Sequence, residues 1–219
     1  KAFGVDIPKG VLIAGMPGCG KSLTAKAAAA MFEVPLLRMD MGRLMGKYVG
    51  ESEANMRRAL QLTEASSPCV LWIDELEKAF AGAGAQGGSS EVTTRLFGSF
   101  LTWMQEKDSL AFVVATANNI SHLPPELMRK GRFDEIFYVD FPNQGEREKI
   151  IRLHIGKRRN SDLTKIDIPA LARKMEGYCG ADIESVVRDG IEAAFVAGKN
   201  HLTTEDLQAA IGRTHPISE

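Results

Sequence analysis

No stretch of this sequence approaches the ~20 consecutive apolar residues that a helix needs to cross a bilayer, so the chain reads as soluble, with no membrane segment. Charge of one sign is missing too. Lys and Arg number 27 against 28 Asp and Glu, a net charge of -1, so no bulk basic field draws the chain to nucleic acid or anionic lipid. Cysteine is sparse: Cys19, Cys69 and Cys179 are odd in number and far apart. That argues against a disulfide framework or a zinc cluster and fits a reducing cytosol. An initiator Met, a signal peptide and a transit pattern are also lacking, and the first apolar strand starts within about a dozen residues of Lys1, so the chain is expected to be a piece of a longer protein.

What is present is an ordinary globular balance, 44% hydrophobic and 25% charged over 219 residues, enough for one large domain or a domain with a small satellite. Up to about Asp140, short β-branched apolar runs alternate with helical stretches, the pattern of a parallel sheet with crossover helices. Strands are predicted at Val11–Ala14, Leu36–Met39, Cys69–Ile73, Leu110–Thr116 and Glu135–Val139. Helices are predicted near Lys21–Phe32, Glu51–Ala65 and Glu91–Gln105, with apolar residues at three and four residue spacing. The segment Gly82–Ser90, reading GAGAQGGSS, is expected to be a loop belonging to neither neighbouring helix. Beyond Pro142 the pattern is helical only: Gly145–Arg158, Pro169–Met175, Ala181–Ala197 and Thr204–Arg213. Thr203 is the expected N-cap of the last helix, with Asp206 standing where a capping box would prefer Glu. The fold class expected is therefore α/β, a parallel five-stranded sheet followed by a small all-helical domain.

Gly15, Met16, Pro17, Gly18, Cys19, Gly20, Lys21 and Ser22 fill the pattern G-x-x-x-x-G-K-[ST] between a predicted strand and a predicted helix. Glycines let successive backbone N–H groups converge on phosphate oxygens, and the helix N-terminus adds positive potential. Lys21 is placed to neutralise the β and γ phosphates, and Ser22 to present its hydroxyl to Mg²⁺. Nucleotide contact is expected along Pro17, Gly18, Cys19, Gly20, Lys21, Ser22 and Leu23. A fully apolar run, Cys69 to Ile73, then delivers Asp74 and Glu75 to the carboxyl end of its strand. Asp74 is expected to hold the magnesium shell and Glu75 to act as general base on the attacking water. Together these residues specify a nucleotide hydrolase of the P-loop class that uses Mg²⁺.

The stretches VVATANN and LPPELMRKGRFDEIFYVDFP resemble the sensor strand and arginine-finger region of AAA ATPases, and GYCGADI resembles their second nucleotide contact. Within that superfamily, SPCVLWIDELEKAF and VVATANNISHLPPELMRKGRFDEIF are similar to the AAA proteins named as hypothetical chloroplast reading frames, of plastids, cyanobacteria and other bacteria. The resemblance implies a large nucleotide-binding domain over 1–142 and a helical lid over 143–219. It implies that the nucleotide is ATP, that Asn118 orients the lytic water, that Arg129 and Arg132 reach a neighbouring subunit's site, and that Gly4, His154, Gly180 and Ala181 touch the nucleoside. Lys47 to Gly50 fall where protein-remodelling rings carry an aromatic pore loop, which would make Tyr48 and Val49 the residues that grip a polypeptide; the Gly82 loop falls at the position of a second one. Cys19 stands where the family usually has Thr, Met16 where it often has Pro, and no arginine follows GYCGADI at the lid-sensor position of some AAA+ relatives.

The function these features imply is a hexameric ATPase ring that remodels or unfolds a polypeptide, located in the cytoplasm, or in the plastid stroma for a plastid-encoded relative. A nucleotide-gated binding module is disfavoured by retention of Glu75, Asn118, Arg129 and Arg132, and a nucleic-acid-directed ATPase by the absence of net positive charge.

Overall fold

A computed structural model describes residues 7–44, 49–79, 89–123, 125–129 and 131–216. The described elements run β1 (Gly10–Gly15), α1 (Lys21–Phe32), β2 (Leu36–Met39), α2 (Met41–Leu44), α3 (Val49–Ala65), β3 (Cys69–Ile73), α4 (Ser89–Glu106), β4 (Ala111–Ala117), β5 (Glu135–Val139), α5 (Gln144–Arg159), α6 (Ile168–Lys174), α7 (Gly180–Val196) and α8 (Thr204–Ile211). The chain divides into two compact units, residues 1–15 with 21–139 and residues 16–20 with 140–219.

In the first unit the strands form one five-stranded sheet in the order β2-β3-β4-β1-β5, and each adjacent pair is parallel. Parallel strands need helical crossovers, so both faces are covered and central strands can be apolar throughout. β3 shows this directly, with all five residues buried. Alternation then sorts the side chains: Leu12, Leu71, Ile73, Val113, Ala115 and Ala117 pack with Met56, Leu60, Phe100 and Met104 of α3 and α4. Ile13, Val70, Trp72 and Val114 pack on the other face with Ala25 and Ala29 of α1. Two alanines four residues apart present a smooth stripe that lets α1 lie close to the sheet.

Two long-range hydrogen bonds fix one end of this sheet. Asp134 accepts from the backbone N–H of Lys9 at 2.6 Å and of Gly10 at 2.7 Å, closing the start of β1 against β5. Phe133 beside it is buried in the larger core. Within the GRFD run, then, Phe133 and Asp134 serve the fold, while Arg132 is half-buried and Arg129 exposed. Gly15 ends β1 at φ 146°, and a Cβ there would lie 1.9 Å from the Val139 carbonyl oxygen of β5.

The second unit is helical around Ile151, Ile155, Leu171, Met175, Ile183, Val187 and Leu207. Its caps are explicit. Asn143 and Glu146 form a capping box on α5, Asp167 caps α6, and Thr203 with Asp206 completes a box on α8. Aspartate therefore closes the α8 box where glutamate was expected, because its shorter side chain still reaches the Thr203 N–H at 3.1 Å. Buried charges are paired: Arg147 donates to the Ala172 and Pro142 carbonyls at 2.8 and 2.7 Å. Asp162, fully buried, accepts from Leu202 N–H, and this bond, with those from His201 and Arg159, pulls its carboxyl down to about 2.

Three sequence expectations shift. α4 begins at Ser89, so the last two residues of the predicted Gly-rich loop are helical, and the rest of that loop lies outside the described residues. α3 begins at Val49, two residues before its expected start. The short α2 was not expected, four residues being too few to register as a period. Among the described residues no helix is long and apolar enough to cross a membrane.

Gly15→Ala should destabilise the first unit by about 3 kcal/mol or more, since backbone rather than a flexible side chain blocks the Cβ. Gly131→Ala, at φ 94° with no atom within 4 Å, should cost only about 1–2 kcal/mol. Denaturant midpoints of the two variants check the difference, and equal losses would refute the steric account.

Candidate active site

The parallel register brings the carboxyl ends of β1, β3 and β4 level, pairing Ile13 with Thr116 and Ile73 with Ala115. Each strand therefore hands its next residues to the same edge of the sheet, where ligands of open α/β folds bind. β1 hands over the glycine turn, in which Gly18 and Gly20 have φ of 75° and 82°. A Cβ at Gly20 would meet nothing within 4 Å, so the glycine is needed there for its backbone conformation, not for space. Lys21, buried at the start of α1, donates from Nζ to the Gly15 carbonyl at 2.7 Å.

β3 hands over Asp74 and Glu75. Ser22 Oγ donates to Asp74 Oδ1 at 3.1 Å, so the two expected magnesium ligands are adjacent. Two neutral or anionic oxygens on a rigid edge suit a small hard cation that takes few protein ligands and completes its shell from phosphate and water. Glu75 sits at φ 52°, a left-handed conformation that is uncommon away from glycine. Its backbone N–H donates to Thr116 Oγ1 at 3.1 Å, and the same hydroxyl donates to Asp74 Oδ1 at 2.6 Å. One buried threonine thus uses its donor and its acceptor to fix both acids.

β4 hands over Asn118. Its Nδ2 lies 3.3 Å from Glu75 Oε1, and its backbone N–H donates to Glu77 Oε1 at 3.0 Å. Glu77 is buried, and among the described residues its Oε2 finds no hydrogen-bond partner. On the exposed side Lys78 Nζ lies 2.5 Å from Glu75 Oε2, an i,i+3 pair within the 3-10 turn Leu76–Ala79. The hydrogen bond and charge of Glu75 hold the Lys78 ammonium above its ordinary pKa. Glu75 is therefore gripped at both oxygens.

Ser22 with Asp74, and Glu75 with Asn118, come together at the carboxyl edge of the sheet, and Lys21 turns back to the end of β1. Leu23 is 64% exposed on α1. Gly4 and Tyr48 lie outside the described residues, as does the side chain of Val49. Arg132 donates from its guanidinium to the Glu126 carbonyl oxygen within its own turn. Thr116, Glu77 and Lys78 were not singled out from sequence. A threonine inside the apolar run AFVVATA, two residues before Asn118, was the available signal for the first.

In the second unit, GYCGADI builds the start of α7. Cys179 is the N-cap, its N–H donating to Asp182 Oδ2 at 2.9 Å. Tyr178 donates to the Thr214 carbonyl at 2.8 Å. Gly180 and Ala181 open the helix, and Ala181 N–H donates to the Gly18 carbonyl at 3.2 Å, joining the turn 16–20 to this unit. Burial raises the Cys179 thiol to about 11, and no disulfide joins the cysteines. His154 on α5 has a buried Nδ1 that makes no hydrogen bond among the described residues and lies 3.6 Å from Glu184 Oε1.

A parallel sheet in this order, with a glycine turn after β1 and an acidic pair after β3, defines a P-loop nucleoside triphosphatase. The family model of ATPases associated with various cellular activities (AAA) matches residues 11–141, and the AAA+ lid domain matches residues 165–209. The AAA domain-containing protein ycf46 of Pyropia yezoensis is 47% identical over 99% of this chain and 44% of its own length. Its counterpart in Guillardia theta is 45% identical over 99% and 42%. The ATP-dependent zinc metalloprotease FtsH 2 of Petrotoga mobilis is 35% identical over 97% and 34%. The chain belongs to the AAA family of ATPases, and it spans less than half the length of these relatives.

Thr116→Val keeps the shape but leaves the Glu75 N–H without its acceptor, and should cost about 1–3 kcal/mol by urea denaturation; an unchanged midpoint would refute the bridging role. Burial holds His154 below its ordinary value of 6.5, opposed by Glu184 and aided by Lys157 and Arg158. The unfolded chain then takes up the proton more readily, so the stability linked to His154 is complete above 6.5 and declines as pH falls through the window beneath it. His154→Gln should flatten the acid side of a midpoint-against-pH curve, and parallel curves would refute this.

Proposed function

We propose that this chain binds ATP with Mg²⁺ and hydrolyses it to ADP and phosphate, residues 1–142 holding the nucleotide and 143–219 acting as the lid. The convergence of Ser22, Asp74, Glu75 and Asn118 from separate strand ends carries the reading. Backbone N–H groups of the 16–20 turn and Lys21 hold the phosphates, with Pro17, Gly18, Cys19, Gly20 and Leu23 along the same contact. A magnesium ion at Ser22 and Asp74 would supply charge neutralisation and orientation of the phosphates. Glu75 takes the proton of the attacking water as its oxygen bonds to the γ-phosphorus and the bond to the β–γ bridging oxygen breaks, the leaving electron pair staying on ADP. Asn118, fixed to Glu75 and by Glu77, orients that water.

Gly4, His154, Gly180 and Ala181 are assigned to the nucleoside. Arg129 and Arg132 are assigned to a neighbouring copy's site in a hexameric ring, where a guanidinium stabilises charge on the transferring phosphoryl group. The exposure of Arg129 supports that assignment; Arg132, half-buried, would exchange its bond to the Glu126 carbonyl for the neighbouring phosphate. A polypeptide is the substrate such a ring would move, through Tyr48 and Val49. The relative named an ATP-dependent metalloprotease supports ATP as the nucleotide.

Steady-state ATPase rate per subunit, measured against protein concentration, tests the assignment. The wild-type rate should climb with concentration, Arg132→Ala should lose about 10³-fold or more, and Glu75→Gln should lose about 10²–10⁴-fold while still binding ATP. A flat rate insensitive to Arg132 would overturn the ring, and unchanged turnover in Glu75→Gln would overturn the base.

A further inference from the structure

One cation reaches Asp74 from a direction that the proposed reaction does not use. Arg38 lies on the edge strand β2, directly opposite Trp72 in the β2–β3 register. Its guanidinium sits over the Trp72 ring, 4.7 Å from the centroid, and its NH2 lies 3.7 Å from Asp74 Oδ2. The two oxygens of Asp74 are thus held differently. Oδ1 accepts from Ser22 and Thr116, whereas Oδ2 faces Arg38 at ion-pair distance, too far for a direct hydrogen bond.

We propose that Arg38, seated on Trp72, competes with a divalent cation for Asp74 when a nucleoside triphosphate binds, so that it sets how much cation the site requires. The proposal rests on the function proposed above. Trp72 is a fixed platform: it is buried in the sheet face that α1 covers. Lys26 of α1 also lies over the ring, 5.8 Å from its centroid, so the indole is electrostatically attractive to cations from two elements. Arg38 by contrast is open to solvent, its side chain 60% exposed, and an exposed pair of this kind is weak enough to exchange. A guanidinium keeps its charge at any working pH, so the carboxylate is never left uncompensated beside the Ser22 hydroxyl. The same charge repels a second cation arriving at Asp74, and each raises the cost of the other.

The test uses binding of a fluorescent ATP analogue to the full chain as Mg²⁺ is titrated, together with Trp72 emission in a Trp103→Phe background. Arg38→Gln should lower the Mg²⁺ concentration for half-maximal nucleotide binding by about two- to fivefold, the range of an exposed cation–π or ion-pair contact. Arg38→Lys should stay near wild type. Trp72 emission should change when Mg²⁺ and ATP are added together to the protein bearing Arg38, and not when they are added to Arg38→Gln. A residue that merely packed against Trp72 would leave the magnesium requirement where it is. Nucleotide binding with an unchanged or increased magnesium requirement in Arg38→Gln, or Trp72 emission blind to the ligands, overturns this inference alone. Absence of nucleotide binding in the wild type overturns the proposed function and this inference with it.

Discussion

Five consecutive side chains of β3 are shut away from water on both faces of the sheet, and the candidate active site depends on that burial. A strand so enclosed cannot slip its register without moving its whole apolar set, and its neighbours β2 and β4 are parallel to it. The first residues past its end are therefore held in position, although they are themselves polar and partly exposed. Asp74 and Glu75 inherit their precision from the apolar residues behind them.

That precision is completed by one hydroxyl. Thr116 ties Asp74 through its proton and Glu75 through its lone pair, and the Glu75 backbone is left-handed where it accepts this tether. A residue at positive φ persists only if surrounding contacts over-determine it, and here Thr116, Asn118 and Lys78 each act on the same residue. The consequence is two adjacent acids that point to different partners: Asp74 toward Ser22, Glu75 toward Asn118. Chemistry that needs a cation ligand and a proton acceptor side by side requires this divergence.

The second unit reaches order by another route. α6 and α8 have only 7 and 8 residues, and the expected gain from a cap is about 1 kcal/mol, so the Asp167 cap on α6 and the capping box on α8 matter more than the caps on the longer α5 and α7. Asp162, which accepts from neighbouring Arg159 and from distant His201 and Leu202, does for the 200–202 turn what Asp134 does for the start of β1. Each is a carboxylate that organises backbone brought from far along the chain.

The sequence by itself determined where the strands and most helices lie and which loops are candidates for phosphate chemistry, because hydrophobic period, glycine placement and caps are local properties, felt within a few residues. Ser22, Asp74 and Glu75 were legible as candidates for the same reason, each following a strand or opening a helix, whereas Asn118 was legible through the resemblance carried by VVATANN. Tertiary structure alone decided which distant groups complete them. Thr116 is 42 residues from Asp74, Asn118 is 43 from Glu75, and Asp134 is 124 from Gly10. Arg38 meets Asp74 only because two strands pair in register. Such partners leave no periodic mark on the sequence, since a single polar side chain becomes informative only once folding has chosen its neighbour.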